Sequence, residues 1–172
     1  MNYDYRPVRQ NYVAHMTVLM LFVLSGVTFG MSGFLPPHAV LWQILGLLLL
    51  LPAIHLIARY MATRYLYRLH TDEQGHTQLE IFLYRGGDRM QMVCCTALDE
   101  ITAACPLSAE NLRAKKGVKR YNYAQDLRPQ RALVLSLSNA DGTCEVLFCP
   151  DEYITRVIGE TVGGGTEKVA TK

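Results

Sequence analysis

The chain has 172 residues with a formal net charge of +2, and 50% of its residues are hydrophobic. So small a net charge gives no reason to expect bulk nucleic-acid binding. The length alone would suit one domain, but the apolar residues concentrate in the first third, and most charged residues follow Arg59. This asymmetry predicts a membrane part followed by a water-soluble part rather than one globule.

Two long apolar runs occupy residues 12–35 and 39–60. Arg59 is the only Arg, Lys, Asp or Glu in either run, and each run approaches or exceeds the roughly 20 residues that cross a hydrocarbon core. A cleaved signal peptide is the alternative for the first run. Its apolar region is too long for that, and a second such run follows almost at once. The sequence therefore predicts a hairpin of two transmembrane helices at 12–60.

Basic residues flank both outer ends of the predicted hairpin, whereas the turn between the helices carries none. Arg6 and Arg9 precede the first helix, and Arg59, Arg64 and Arg68 lie at or beyond the end of the second. Positively charged flanks stay in the cytoplasm. We therefore expect a cell-membrane protein with two spans and both termini cytoplasmic.

The first predicted helix contains Gly26 and Gly30, a pair of small residues four positions apart that lets another helix approach closely. The favoured interpretation is that this face packs on the second helix of the same hairpin. The alternative is a face that forms a homo-oligomer or docks on another membrane protein.

After the hairpin, the sequence changes to the apolar–polar alternation of half-buried strands. The segment 108–117 suits a short helix or a mobile loop. Turn signals at 86–88 and 139–142 predict hairpins. Strands are predicted at 64–70, 77–85, 89–97, 101–107, 119–127, 132–138 and 143–149.

The segment 150–160 predicts an amphipathic C-terminal helix, whose apolar face carries Tyr153, Ile154, Val157 and Ile158. The fold class expected is a membrane α-helical hairpin plus a mainly-β (α+β) soluble domain. That domain is a bent antiparallel sheet or barrel of about seven strands, capped by the C-terminal helix. The expected divisions are a cytoplasmic N-terminal segment at 1–11, the hairpin at 12–60, the β domain at 61–160 and a flexible tail at 161–172.

The segments "YNYAQDLRPQRALVLSLS" (121–138) and "GTCEVLFCPDEYI" (142–154), taken with the order of elements, carry a resemblance. The chain resembles bacterial pleckstrin-homology-like domains that follow a pair of transmembrane helices, in small and mostly uncharacterised membrane proteins of Gram-positive bacteria. The resemblance implies a pleckstrin-homology-like fold and brings no catalytic motif.

The sequence contains no phosphate-binding glycine loop, dinucleotide fingerprint or nucleophile elbow. We therefore expect no enzymatic activity, no cofactor and no metal. The five cysteines lack the paired spacing of zinc sites, and they predict structural thiols in a reducing compartment. They are Cys94, Cys95, Cys105, Cys144 and Cys149.

A cluster of basic residues is the main candidate for a binding surface, facing anionic lipid headgroups or a partner protein. A solvated loop beside packing tyrosines is the alternative. The expected function is a membrane-anchored adaptor that engages a membrane or cytosolic protein or anionic lipid; the alternative is an accessory subunit docked through its helices. The expected partners include the bilayer and a second copy of the chain, but not nucleic acid. The basic residues are Arg113, Lys115, Lys116, Lys119, Arg120, Arg128 and Arg131.

Overall fold

The chain forms two compact units in the computed structural model. The helical unit contains Arg9–Arg64 and Asp126–Arg128. The β unit contains Met1–Val8, Tyr65–Gln125 and Pro129–Lys172. The structure describes residues 2–9, 12–34, 36–72, 75–85, 89–139 and 142–167.

Both predicted apolar helices are present in the helical unit, and both are long and apolar enough to cross a membrane. Helix α1 covers Val13–Phe34, and helix α2 covers Ala39–Leu56. A 3-10 turn, Pro36–His38, precedes α2, and a π-helical turn, Ile57–Met61, continues it. The second helix was predicted to end at residue 60. The helical structure ends at Met61, and its last turn has π-helical rather than α-helical hydrogen bonds. Residue 35 of the first predicted helix lies outside the described residues.

Most of the buried residues between α1 and α2 are small or polar, and the Phe29 ring packs close to Gly46. The Ser25 hydroxyl donates to the Gly46 carbonyl oxygen at 2.9 Å. A Cβ placed on Gly46 would lie 2.8 Å from ring carbons of Phe29 and 2.9 Å from the Thr28 hydroxyl oxygen. Gly46 is therefore the residue that allows the two helices to approach. The buried residues of the pair are Ala14, Val18, Ser25, Thr28, Gly46 and Ala53.

The β unit consists of two four-stranded sheets. Strand order is β1-β2-β3-β4 in the first sheet and β5-β7-β8-β6 in the second. A 3-10 turn, Leu98–Glu100, joins the two sheets. The strands are β1 Asn2–Tyr5, β2 Thr63–Thr71, β3 Thr77–Arg85, β4 Met90–Ala97, β5 Ile101–Pro106, β6 Lys119–Asn122, β7 Leu133–Asn139 and β8 Gly142–Phe148. Seven of these eight strands follow the helices, as the alternation predicted. The predicted turn residues 86–88 and 140–141 lie outside the described residues.

Strand β1 is the element that the sequence did not predict, because 1–11 was expected to form a separate segment. It pairs antiparallel with β2, with Asn2 opposite His70 and Tyr5 opposite Tyr67. An Arg68–Asp4 ion pair of 2.7 Å spans the two strands, and its hydrogen bond holds the pKa of Asp4 below the usual range. The N-terminal residues therefore belong to the first sheet.

The second sheet is mixed rather than wholly antiparallel. Strand β6 pairs parallel with β8, so that Lys119 lies opposite Cys144 and Asn122 opposite Leu147. The expectation of an antiparallel sheet was wrong for this pair, because β6 joins the far side of β8 rather than pairing with its sequence neighbours. The strand predicted at 119–127 ends at Asn122, although the Tyr123 amide still donates to the Leu147 carbonyl oxygen.

One hydrophobic core of fourteen buried residues lies in the β unit, and strands of both sheets contribute to it. Helix α3, Glu152–Glu167, adds Ile154 and Ile158, both of which are fully buried. The Asp151 carboxylate caps this helix by accepting from the Ile154 amide at 2.9 Å. The helix extends past residue 160, into the predicted flexible tail; residues 168–172 lie outside the described residues.

Candidate functional site

Arg120, predicted as part of the binding surface, forms a buried ion pair within the β unit. Its guanidinium lies 2.7 Å from a carboxylate oxygen of Glu145, and the exposed fractions of the two side chains are 10% and 3%. Glu145 lies opposite Arg120 in the β6–β8 ladder. Because its charge is neutralised by Glu145 inside the protein, the ion pair favours a structural role for Arg120 over the predicted contact with a ligand.

The same guanidinium organises the loop that precedes β6. It donates to the carbonyl oxygens of Asn111 and Leu112 at 2.8 and 3.1 Å, and to that of Arg113 at 3.1 Å. Three successive backbone carbonyl oxygens thus accept hydrogen bonds from one guanidinium, whereas in a helix they would accept from backbone amides. This explains why the segment 108–117, for which a short helix was one alternative, forms an irregular loop.

Further hydrogen bonds define the course of this loop, which we call the basic loop (residues 107–118). The Asn111 side chain accepts from the Ser108 amide at 2.6 Å and donates to the Pro106 carbonyl oxygen at 2.9 Å. The Val118 amide donates to the Lys115 carbonyl oxygen at 3.0 Å. Between these two residues, Gly117 has a φ of +82°, a conformation that L side chains rarely adopt. The loop is therefore a defined turn structure.

The structure separates the seven predicted basic residues into several places. Arg113, Lys115 and Lys116 are exposed on the basic loop, and their side chains make no ion pair with any residue that the structure describes. Arg128 belongs to the helical unit. Arg131 precedes β7, where its charge acts on the pKa of Tyr5 in β1. The basic loop and the exposed Lys119 that begins β6 form the part of the candidate surface that is continuous along the chain, and Arg128 and Arg131 remain predicted members.

Strand β6 presents stacked side chains beside the basic loop. The rings of Tyr121 and Tyr123 stack with centroids 6.4 Å apart, and the Lys119 ammonium lies 4.8 Å from the centre of the Tyr121 ring. The Tyr123 hydroxyl donates to the Val93 carbonyl oxygen in β4 at 3.0 Å, and burial raises the pKa of Tyr123 to about 12. Tyr123 is thus a packing residue between the sheets, whereas Tyr121 remains exposed.

Two residues important to this region were missed in the sequence. Leu112 is exposed over 65% of its surface at the tip of the basic loop. A leucine placed directly between Asn111 and Arg113 was the available signal. Glu145 is a single carboxylate in an otherwise apolar strand, and a charge at such a position indicates a buried partner.

Gly26 and Gly30 do not mediate the packing of the hairpin. A Cβ added to either glycine would meet no atom of the described chain within 4 Å, and both residues are exposed. The favoured interpretation, that this pair packs on the second helix, was therefore wrong; Gly46 on α2 has that role. The outer face of α1 remains the alternative location for an oligomer or a docking partner.

The cysteines are all free thiols and differ in exposure. Cys95 and Cys105 are exposed, Cys149 is buried, and Cys94 and Cys144 are partly buried against the core. Burial, with a further contribution from Cys144, raises the pKa of the Cys94 thiol to about 11. Cys94 is therefore a protonated, unreactive thiol at neutral pH.

No protein-family model, curated protein or solved structure matches this chain. Conclusions about function consequently depend on the geometry of the chain itself.

Proposed function

We propose that the protein is a non-enzymatic integral membrane protein with two spans and both termini in the cytoplasm. Its β unit is a pleckstrin-homology-like binding domain that acts as an adaptor for an anionic partner, either a protein or lipid headgroups. The exposed, unneutralised cations of the basic loop carry this proposal.

The packing of the helical unit supports membrane insertion. In the most apolar 18-residue stretch of each helix, only 22% and 11% of the residues are buried, whereas the core helix of a soluble protein is mostly buried. Large apolar side chains such as Leu19, Met20 and Leu48 are exposed, and small or polar residues occupy the contact between the helices. Helices surrounded by lipid pack in this way, because lipid solvates large apolar side chains and packing favours small residues at the contact.

The pairing of β1 with β2 supports the proposed topology. Strand β1 precedes α1, and β2 follows the π-helical turn after α2. Hydrogen-bonded strands of one sheet must lie on the same side of a bilayer. The pairing therefore supports an even number of spans, and the basic flanks support the cytoplasmic side.

The proposal is tested by reversing charge on the basic surface without disturbing Arg120. We expect a Lys115→Glu/Lys116→Glu/Lys119→Glu variant to lose most of the proteins or anionic lipids that co-purify with the full-length protein. The measurement is a pull-down in a gentle detergent, followed by protein identification and lipid analysis by mass spectrometry. Arg120 is left unchanged because a carboxylate there would face buried Glu145.

A matched control carries the same number of charge reversals elsewhere on the β unit. Arg85, Arg89 and Arg156 are exposed and make no ion pair within the described part of the chain. An Arg85→Glu/Arg89→Glu/Arg156→Glu variant is expected to retain the co-purifying partners. Equal recovery from the wild type and the Lys115/Lys116/Lys119 variant would refute the role of the basic surface.

The exposed Gly26/Gly30 face supports a second candidate function, an accessory subunit that docks on a larger membrane complex through α1. Lipid-facing small residues allow close helix contact, and the hairpin does not use them. A Gly26→Leu/Gly30→Leu variant is then expected to lose a co-purifying membrane protein, whereas Val23→Leu/Val27→Leu on the same helix retains it. Retention of every membrane partner by the glycine variant rules this function out.

A further inference from the structure

The basic loop has the features of a membrane-contact element. We propose that Leu112 inserts into the headgroup region of an anionic leaflet while Arg113, Lys115 and Lys116 contact lipid phosphates. This inference rests on the proposed function, because it takes the helical unit to be in the bilayer, and it adds the class of ligand and the residue that enters the lipid.

The buried guanidinium of Arg120 sets the orientation of the loop. The carbonyl oxygens of Asn111, Leu112 and Arg113 all accept from it, so the backbone curves around this cation. The side chains of Leu112 and Arg113 are exposed, while their backbone carbonyl groups face the guanidinium. An apolar tip is thereby presented without having to be ordered on binding, which lowers the entropic cost of contact.

The charge around the tip is predominantly positive. The basic loop and β6, residues 107–122, contain five basic residues and one acidic residue, the exposed Glu110. Arg120 is neutralised by Glu145, so four cations remain around or just beyond the tip. Each basic residue near an anionic membrane surface strengthens binding by a factor of roughly five.

The shape of the surface favours a lipid leaflet over an acidic protein segment. An apolar tip surrounded by cations is complementary to a surface whose phosphates lie above an apolar interior. Protein ligands of β domains usually bind along a strand edge or in a groove, and the basic loop is neither. The tether is also short, since Ala62 alone separates the turn Ile57–Met61 from β2. Lipid is therefore present at high effective concentration.

The test uses the single tryptophan of the chain, Trp42, which is replaced so that a new indole reports on the loop alone. The full-length Trp42→Phe/Leu112→Trp variant is reconstituted into phosphatidylcholine vesicles with about 30% phosphatidylglycerol, a composition that gives an anionic surface. Part of the phosphatidylcholine carries bromine on its acyl chains. We expect the introduced indole to be quenched in these vesicles and much less in vesicles of phosphatidylcholine alone.

Two further variants provide the comparison. In the first, Arg113→Glu, Lys115→Glu and Lys116→Glu are added to the Trp42→Phe/Leu112→Trp variant. The affinity of the loop for the anionic surface is expected to fall on the order of 100-fold, so that quenching drops to the level seen in phosphatidylcholine alone. A Trp42→Phe/Met92→Trp variant carries its indole at an exposed position of β4 and is expected to show no dependence on phosphatidylglycerol. Near-ultraviolet circular dichroism verifies that all variants are folded.

The outcomes separate this inference from the function on which it rests. Quenching that is absent, independent of phosphatidylglycerol or unchanged by the charge reversals overturns the lipid contact. If pull-down recovery of a protein still depends on Lys115 and Lys116 in that case, the loop binds a protein and the proposed function stands. Release of the full-length protein from membranes by alkaline carbonate would instead overturn the proposed function itself.

Discussion

The helical unit and the β unit distribute their large apolar side chains in opposite ways. In the β unit, fourteen residues such as Tyr67, Phe148 and Ile154 bury one another in the larger of two hydrophobic clusters. In the helical unit, the large residues are exposed, and the contact between helices is made by Ser25, Gly46 and their neighbours. The β unit thus buries its large apolar side chains as water-soluble proteins do, whereas the helical unit exposes them, as the proposed lipid-facing helices would.

The difference also affects polar groups. The β unit buries an ion pair and uses it to shape a loop, because the loop carbonyl groups and Glu145 satisfy the guanidinium. The described helical contact instead contains a neutral hydroxyl that donates to a backbone carbonyl oxygen. Substitutions at the Arg120–Glu145 ion pair and at the Gly46 contact test whether each contact stabilises its unit as the geometry indicates.

The largest effect is expected from removing one partner of the buried ion pair. Arg120→Ala leaves Glu145 buried without its cation, and such a loss costs about 3–5 kcal/mol of unfolding free energy. The measurement is urea unfolding of the full-length protein in detergent, monitored through the near-ultraviolet circular dichroism of the β-unit tyrosines. The Arg120→Met/Glu145→Met double variant is the control, because replacing both charges by apolar side chains is often nearly neutral. A single variant no less stable than the double one would contradict the structural role of Arg120.

A smaller effect is expected from enlarging the residue at the helix contact. Gly46→Leu places a side chain where a Cβ already lies 2.8 Å from the Phe29 ring, and overpacking of this kind costs about 1–3 kcal/mol. The distance between spin labels on α1 and α2, measured by pulsed electron paramagnetic resonance, is expected to increase. Gly30→Leu has free space in the described chain and leaves that distance unchanged. Equal effects of the two substitutions would show that close approach at Gly46 does not define the hairpin.

The smallest effect concerns alkaline pH. Burial raises the pKa of Tyr123 from 10.0 to about 12, so above pH 10 the unfolded chain loses this proton first. The stability that this group contributes is therefore complete below pH 10 and is lost as pH rises towards 12. Tyr123→Phe removes both the titration and the hydrogen bond to Val93, costing about 1 kcal/mol at pH 8. Urea unfolding between pH 8 and pH 11 is expected to show a shallower decline for the variant, and parallel declines would count against this cause.

The sequence predicted those helices and strands whose hydrophobic periodicity is visible within the element itself. The apolar runs predicted α1 and α2, and strict alternation predicted the bounds of β3 as Thr77–Arg85. Strand β1 was missed because four residues carry little periodicity and their partner strand lies about sixty residues away. The parallel pairing of β6 was missed because nothing within Lys119–Asn122 indicates which neighbour it joins.

The candidate site was predicted as a set of charges but not as an arrangement. A run of basic residues does not reveal which member is neutralised, since Glu145 meets Arg120 only through the pairing of β6 with β8. The glycine pair of α1 has the same limitation. Gly26 and Gly46 are both helix glycines in the sequence, and only the crossing of the helices decides which one lies in the contact.

The position of β1 in the first sheet has a consequence for biosynthesis. A ribosome makes Asn2–Tyr5 before α1 and α2, and β2 exists only after the whole hairpin has been synthesised. In the proposed two-span topology, the first strand must therefore wait, unpaired, while α1 and α2 enter the membrane, and the first sheet is completed only by a hairpin that returns to its starting side. A chain whose second helix fails to insert would keep its two halves on opposite sides of the bilayer and could not complete this sheet. If the hairpin spans the bilayer as proposed, formation of the β1–β2 ladder reports that insertion has succeeded.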